Sequence, residues 1–305
     1  MTRKTPVNVA ASVRARLLNV SKERREDFTL TLTNYVAERF LYRLAQSKHR
    51  DHFVLKGAML FAVRVGEQYR PTRDLDLLGL VDASERAVAA AVRDIATTKV
   101  DDDGVVFEVD RLQVHAIRED NAYGGIRAVM QARLTEARIH VQIDFGFGDA
   151  ITPGAMAIQF PTLLAGMPAP NVLAYPTETI VAEKVEAMVQ LGLSNSRMKD
   201  FTDLAIAARR CEFEGGTLVA AIRATFRRRG TQLPDGDMVA LSEKFVQDER
   251  AQANWKAYGR RERLGGFDSL AQLVAELRAF LSKPLEHART GQPFTSRWMP
   301  GGPWG

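Results

Sequence analysis

The chain has 305 residues, a 46% apolar composition and one cysteine, Cys211. It is long enough for one large domain or two of ordinary size. The lone cysteine excludes an intramolecular disulfide and argues against a cysteine-based metal site, which fits a reducing, cytoplasmic setting. The net charge is only +5, but it runs +7 over residues 1–50, −7 over 51–183 and +5 over 184–305. An acidic middle between basic flanks suits an enzyme acting on a polyanion; ordinary solvated helix faces are the plainer reading of the same charges.

No apolar run follows Met1-Thr2-Arg3-Lys4-Thr5-Pro6, so no signal peptide is expected, and no segment approaches the ~20 apolar residues of a membrane span. Phe28, Leu32, Tyr35, Val36 and Phe40 recur at helical spacing and predict one long amphipathic helix over 21–47 with Ser21 as its N-cap. A short strand over 53–55, a short helix over 58–65, a strand over 74–80 and an Ala/Val-rich helix over 83–97 follow. Residues 105–148 read as an antiparallel meander with strands near 105–107, 112–117, 126–134 and 139–147.

In the strand that opens Arg73-Asp74-Leu75-Asp76-Leu77-Leu78, alternation puts Asp74 and Asp76 on one face and Arg73, Leu75 and Leu77 on the other. Side by side, the two carboxylates form a hard oxygen site for a divalent cation such as Mg²⁺ carrying nucleotide phosphates. Alone, Asp-x-Asp is equally a solvated strand end. Upstream, Lys56-Gly57-Ala58 sits at a strand-to-helix turn, where a glycine lets backbone approach a phosphate and the helix start offers free N–H groups. In the meander's last strand Val141, Ile143 and Phe145 face one way, while His140, Gln142 and Asp144 face the other. Asp144 is therefore either an edge-strand carboxylate facing water or a third carboxylate beside the first two.

Beyond a Pro- and Gly-rich break near 150–176 the pattern turns helical, with helices over 177–191 (capped by Thr177, ended by Gly192), 198–210, 217–228, 239–258 and 270–282. The tail from Thr290 reads as poorly ordered. Lys184 falls within the apolar stripe of Ile180, Ala187, Met188 and Leu191. Such a lysine either pairs with an anion, for which a triphosphate would serve, or snorkels to water. The run Arg227-Arg228-Arg229 suits a helix C-terminus or a phosphate backbone equally.

Together, Lys56-Gly57, Arg73-Asp74-Leu75-Asp76, Asp144, Glu183-Lys184 and Arg197-Met198-Lys199-Asp200-Phe201-Thr202-Asp203-Leu204 resemble the AbiEii/AbiGii-type nucleotidyltransferases, in order over about residues 50–210. Those proteins are toxins of bacterial toxin–antitoxin and phage-abortive systems. They include the MenT-type toxins that add nucleotides to tRNA ends, within the DNA polymerase β-like nucleotidyltransferase superfamily. The resemblance implies an α+β fold: a nucleotidyltransferase-type mixed sheet with helices, followed by a helical C-terminal region. The expected division is a nucleotidyltransferase domain with its N-terminal helix over 1–175, a helical domain completing the active site over 176–290, and a flexible tail over 291–305.

The resemblance also implies roles. Asp74, Asp76 and Asp144 would hold Mg²⁺; Lys56, Gly57, Ala58, Arg73 and Lys184 would bind the nucleotide; Lys184 and Asp200 would join the three carboxylates as catalytic residues. A nucleoside triphosphate would be the donor, the 3′ end of tRNA the acceptor, and a cognate antitoxin the protein partner, with no membrane involved. The family usually has Gly or Ser where Ala58 stands, so a hydroxyl contact to phosphate is missing while the N–H remains. Alternatives are an acceptor that is a small molecule or a protein side chain, or a non-catalytic RNA-binding protein. The basic flanks argue against a cationic small-molecule acceptor, and the full set of carboxylates and lysine argues against a lapsed site.

Overall fold

The computed structural model describes residues 8–66, 72–117, 124–260 and 266–305; the start of the chain, read above for a signal peptide, lies outside them. The described residues fall into two units. The first comprises 8–60, 72–117, 124–148 and 156–174, and the second comprises 61–66, 149–155, 175–260 and 266–305. Two short segments from the first half of the chain, 61–66 and 149–155, thus group with the helical half.

The long N-terminal helix of the sequence reading is two helices, α1 (Val9–Arg24) and α2 (Phe28–Gln46). Arg25 turns into the left-handed region at φ 53 and its N–H returns to Lys22 and Ser21, which closes α1. Asp27 caps α2 by accepting from the Leu30 N–H, while Ser21 is a buried residue inside α1. The polar run Arg25-Glu26-Asp27 offers a better helix start than Ser21, since a capping carboxylate satisfies one of the orphan N–H groups of the next turn.

Seven strands form one mixed sheet in the first unit. They are β1 (Phe53–Lys56), β2 (Asp74–Gly79), β3 (Val106–Ile117), β4 (Gly125–Leu134), β5 (Ala137–Phe147), β6 (Met156–Gln159) and β7 (Asn171–Ala174), in the order β3-β4-β5-β2-β1-β7-β6. The meander β3–β4–β5 is antiparallel as expected, with 105–107 and 112–117 joined into one strand by an irregularity between Glu108 and Gln113. β5 then runs parallel to β2, and β1 pairs antiparallel with β2 and parallel with β7. β6 and β7 lie in the stretch read as a domain break. Each is only four residues long, too short for an alternation signal.

The pleat sorts the residues of the sheet. Leu75, Leu77, Ala128, Met130, Ile143 and Phe145 are buried, on the face that α2 and α4 (Glu85–Ala96) cover. Each such Leu, Phe or Met contributes about 1.5–3 kcal/mol through removal from water. Tyr35 and Arg43 tie α2 to the loop before β3: the tyrosine hydroxyl donates to the Asp103 carbonyl and the guanidinium forks onto the Asp103 carboxylate. The opposite face keeps its polar residues.

The second unit is helical. After α3 (Gly57–Val65), which begins in the first unit, come α5 (Thr177–Leu191), α6 (Met198–Arg210), the two-residue strand β8 (Phe213–Glu214) and α7 (Gly215–Arg229). The helix expected over 239–258 is broken into a short 3₁₀ turn, α8 (Glu243–Gln247) and α9 (Glu249–Gly259), because Ser242 and Asp248 each cap a new start. α10 (Leu270–Thr290) runs well past the expected end, through Pro284.

The segment after Thr290, expected to be a flexible tail, is packed instead. β9 (Arg297–Trp298) pairs with β8. Trp298 donates to the Ala208 carbonyl at 2.7 Å and Trp304 to the Phe280 carbonyl at 2.8 Å. Buried indoles with satisfied N–H groups order a segment whose Pro-Gly composition suggests disorder. Gly302, at φ 71, lies on the Trp298 ring where any Cβ would collide with it. Among the described residues no helix is long and apolar enough to cross a membrane.

Candidate active site

β1 ends at Lys56 and α3 begins at Gly57 with no residue between them. Gly57 has φ 73, a left-handed conformation that L side chains rarely adopt. It is also pressed against Asp76, whose carboxylate occupies the space a Cβ at position 57 would need. One turn thus brings the free N–H groups of a helix start and a carboxylate together, and only glycine permits it.

Residues paired across adjacent strands share a face, and the register places a row of charges across the other face of the sheet. Lys56 pairs with Asp76, Asp76 with Asp144, Asp144 with Arg127, and Arg127 with His115. Asp74 lies on the same face beside Gln142. Asp74 is exposed, whereas Asp76 and Asp144 are half-buried. Arg73, just before β2, is exposed. Arg127 forks onto Asp144, with Nε donating to Oδ1 and Nη2 to Oδ2, both at 2.7 Å, and Gln142 Nε2 donates to Oδ2 at 3.3 Å. The hydrogen bond to Asp144 holds the Arg127 pKa above its ordinary value. Partial burial opposes that rise, and the charges of Asp144, Asp74 and Asp76 add to it. Among the described residues, no three His, Cys, Asp or Glu side chains converge as a metal site.

The second unit holds a separate ionic cluster. Lys184 on α5 donates to Asp200 Oδ1 and Asp203 Oδ2 of α6, each at 2.7 Å. Its side chain is 16% exposed, Asp200 3% and Asp203 0%. Arg197 Nε lies 2.8 Å from Asp200 Oδ2, an ion pair without hydrogen-bond alignment. Burial pushes the Lys184 ammonium toward neutrality, but the Asp200 and Asp203 carboxylates outweigh it and hold the pKa above the lysine value. The anion required by the apolar stripe is thus a pair of aspartates, and Lys184 does not snorkel.

Arg229, the last of the run Arg227-Arg228-Arg229, is the centre of a half-buried cluster. It lies 2.8 Å from Glu186, 3.3 Å from Glu183 and 3.7 Å from Asp149. Its part in α7 is therefore structural, and only Arg227 and Arg228 of that run are exposed.

The family described as "Nucleotidyl transferase AbiEii toxin, Type IV TA system" matches residues 39–276. The chain belongs to the AbiEii nucleotidyltransferase toxin family. Among solved structures, it is similar to MenT4, the nucleotidyltransferase toxin Rv2826c of Mycobacterium tuberculosis H37Rv. The two are 19% identical with a TM-score of 0.52, over 91% of this chain and 98% of that one. It is also matched to JHP933 of Helicobacter pylori, at 13% identity and a TM-score of 0.45, over 90% of this chain and 93% of that one. No curated protein matches. The MenT4 likeness is a likeness of fold, and it agrees with the mixed sheet and helical second half.

In this AbiEii-family nucleotidyltransferase, the first unit brings together Lys56, Gly57, Ala58, Asp74, Asp76 and Asp144. Lys184 and Asp200 meet in the second. The residue that sequence reasoning missed is Arg127. Its signal was present: β4 and β5 are joined by Thr135-Glu136, Thr135 has φ 55, and a two-residue hairpin fixes the register that sets Arg127 opposite Asp144. For a divalent cation, Asp74 and Asp76 are hard oxygen donors on one face, and Mg²⁺ commonly takes only one or two carboxylates with water and phosphate completing its shell. That pair fits such an ion.

Proposed function

We propose that this AbiEii-family toxin transfers a nucleotide from a nucleoside triphosphate to the 3′ end of tRNA in a Mg²⁺-dependent reaction, and that a cognate antitoxin restrains it. The observation that carries the reading is the register that sets Asp74, Asp76 and Asp144 on one face, with Asp76 against the glycine that opens α3.

In the reaction, an acceptor hydroxyl oxygen bonds to the α-phosphorus, the bond from that phosphorus to the β-phosphate bridge breaks, and pyrophosphate leaves while the hydroxyl proton passes to solvent or a nearby base. Asp74 and Asp76 hold the divalent ion, which when bound supplies Lewis-acid polarisation and charge neutralisation at the phosphates. Gly57 and the N–H of Ala58 receive phosphate oxygens at the start of α3. Lys56 and Arg73 add positive charge for the triphosphate. Asp144 adds the third carboxylate, with Arg127 as its counter-ion. Lys184 and Asp200 are the further catalytic residues of this reading, with Lys184 a binder of the nucleotide phosphates.

The test is incubation of the purified chain with each labelled nucleoside triphosphate, Mg²⁺ and total RNA. Label in the tRNA fraction, at the 3′ end, is the expected result. Label on a protein or a small molecule removes tRNA as the acceptor, and no label with any triphosphate removes the reaction.

A further inference from the structure

Of the three charged groups joined at Lys184, Asp203 is the deepest. Its side chain is 0% exposed, against 3% for Asp200 and 16% for Lys184. Its neighbours along α6, Phe201, Leu204, Ala205 and Ala207, are buried apolar residues. A carboxylate in such surroundings is costly unless it is paired. Lys184 on α5 supplies a partner: its Nζ donates to Asp203 Oδ2 at 2.7 Å, as it does to Asp200 Oδ1 at 2.7 Å.

Stability does not account for this arrangement. Replacing a buried ion pair by well-packed apolar side chains of similar volume is often neutral or stabilising. What the second carboxylate adds is position. A lysine carries a compact charge on a flexible four-carbon stem, and with one partner that charge can still swing. Asp200 is itself drawn toward Arg197, whose Nε lies 2.8 Å from its Oδ2, so a lysine held by Asp200 alone would follow that aspartate. Asp203 stands three residues further along α6, one turn on and on the same side of the helix. Two bonds drawn to separate points on one helix fix where Nζ lies. Charge supports the same picture: burial pushes the Lys184 ammonium toward neutrality, and Asp200 and Asp203 both oppose that.

We propose that Asp203 is a positioning residue of this nucleotidyltransferase, one that acts through Lys184 by fixing its ammonium for the phosphates of the nucleoside triphosphate. This rests on the reading of Lys184 as a binder of those phosphates. Asp203 itself touches neither nucleotide nor acceptor. Its effect therefore reads out as affinity for the triphosphate, and it vanishes when the lysine is gone.

The experiment is an equilibrium titration of the full chain with each nucleoside triphosphate in the presence of Mg²⁺, with a melting curve for every variant. Asp203→Leu, which fills the position but offers Lys184 no acceptor, should raise Kd by about tenfold or more. Asp203→Asn, which returns an acceptor oxygen, should lie between Asp203→Leu and wild type. Damage to the fold alone lowers the number of binding sites and leaves their Kd unchanged. Lys184→Met, measured where it stays folded, should also raise Kd, and adding Asp203→Leu to it should raise Kd no further. An Asp203→Leu chain that folds and binds with the wild-type Kd overturns the proposal, as does a further loss in the double variant. If Asp203→Leu does not fold, Asp203→Asn decides alone: a Kd above wild type is expected, and an equal one overturns the proposal. If Lys184→Met binds the triphosphate as wild type does, the phosphate reading of Lys184 fails and the role of Asp203 falls with it. A rise for Lys184→Met with none for Asp203→Leu removes the positioning role and leaves that reading standing. A wild-type chain that binds no triphosphate overturns both.

Discussion

At position 57, a backbone conformation and a close approach coincide. Gly57→Ala meets a left-handed φ and a collision with the Asp76 carboxylate. The φ alone costs about 1–2 kcal/mol for a side chain, and relief of the collision must move Asp76. Transfer activity should therefore fall by more than the loss of folding stability explains. Parallel melting and nucleotide-transfer assays check this; ordinary turnover in the Gly57→Ala variant would show that the turn does not shape the site. Lys184 carries a different expectation. Its removal leaves Asp200 and Asp203 buried without their lysine, so Lys184→Met should lower stability by about 3–5 kcal/mol. Activity lost in that variant is meaningful only at temperatures where it stays folded. Because its folded pKa is raised above the 10.5 of the free side chain, the stabilisation is fully present below about pH 10.5. It disappears as pH rises through the folded value. Denaturant melts of wild type and Lys184→Met should therefore converge at strongly alkaline pH and nowhere in the acid range above the carboxylate pKa values.

Among the elements, those with strong periodicity were legible. β2, β5 and α6 follow from alternation or helical spacing in their own residues, and Asp144 was placed on the polar face of β5 by that pattern alone. The helix boundaries were less so. Asp27, Ser242 and Asp248 each accept from a backbone N–H three residues on, and each converts one apparent long helix into two. A cap is a local choice that an apolar stripe running through it conceals. β6 and β7 were illegible because their partners are remote: β7 owes its place to a parallel pairing with β1. The closing segment shows the same dependence, since its order comes from α6 and α10. Trp298→Ala should remove the bond to Ala208 and the aromatic contacts with Phe280 and Trp304, at a cost of about 3–5 kcal/mol. A melting temperature within a degree of wild type would show that the segment adds nothing to the second unit.

Across the whole molecule, the uneven charge remains the best guide to a polyanionic acceptor, but the structure changes which residues should carry it. Arg229 belongs to a half-buried acidic cluster, and its reversal would report on folding. Lys22, Arg24 and Arg25, by contrast, are exposed at the end of α1. RNA affinity of the wild type should fall steeply with salt through counter-ion release. Reversing these three to Glu should reduce the slope of log affinity against log salt by up to about 2–3 if each touches a phosphate. Nucleoside triphosphate binding should be little altered. Filter binding from low to moderate salt measures both. A slope equal to wild type would place the RNA contact elsewhere, and a flat response in the wild type would remove RNA as the ligand.

The sequence by itself determined the reaction class and the local patterns proposed to carry it. The Lys-Gly turn, the Asp-x-Asp strand, the polar face of the last meander strand and the helix with Lys184 are all local patterns. Their physical content lies in residue type and spacing, which folding does not alter. Tertiary structure decided the partners. That Asp76 lies beside Asp144 depends on a parallel pairing between strands far apart in the chain. That the anion for Lys184 is an aspartate pair depends on how α5 meets α6, and that Asp144 is held by Arg127 depends on register. A sequence states which charges a chain owns; the pairing of strands and helices decides which of them meet.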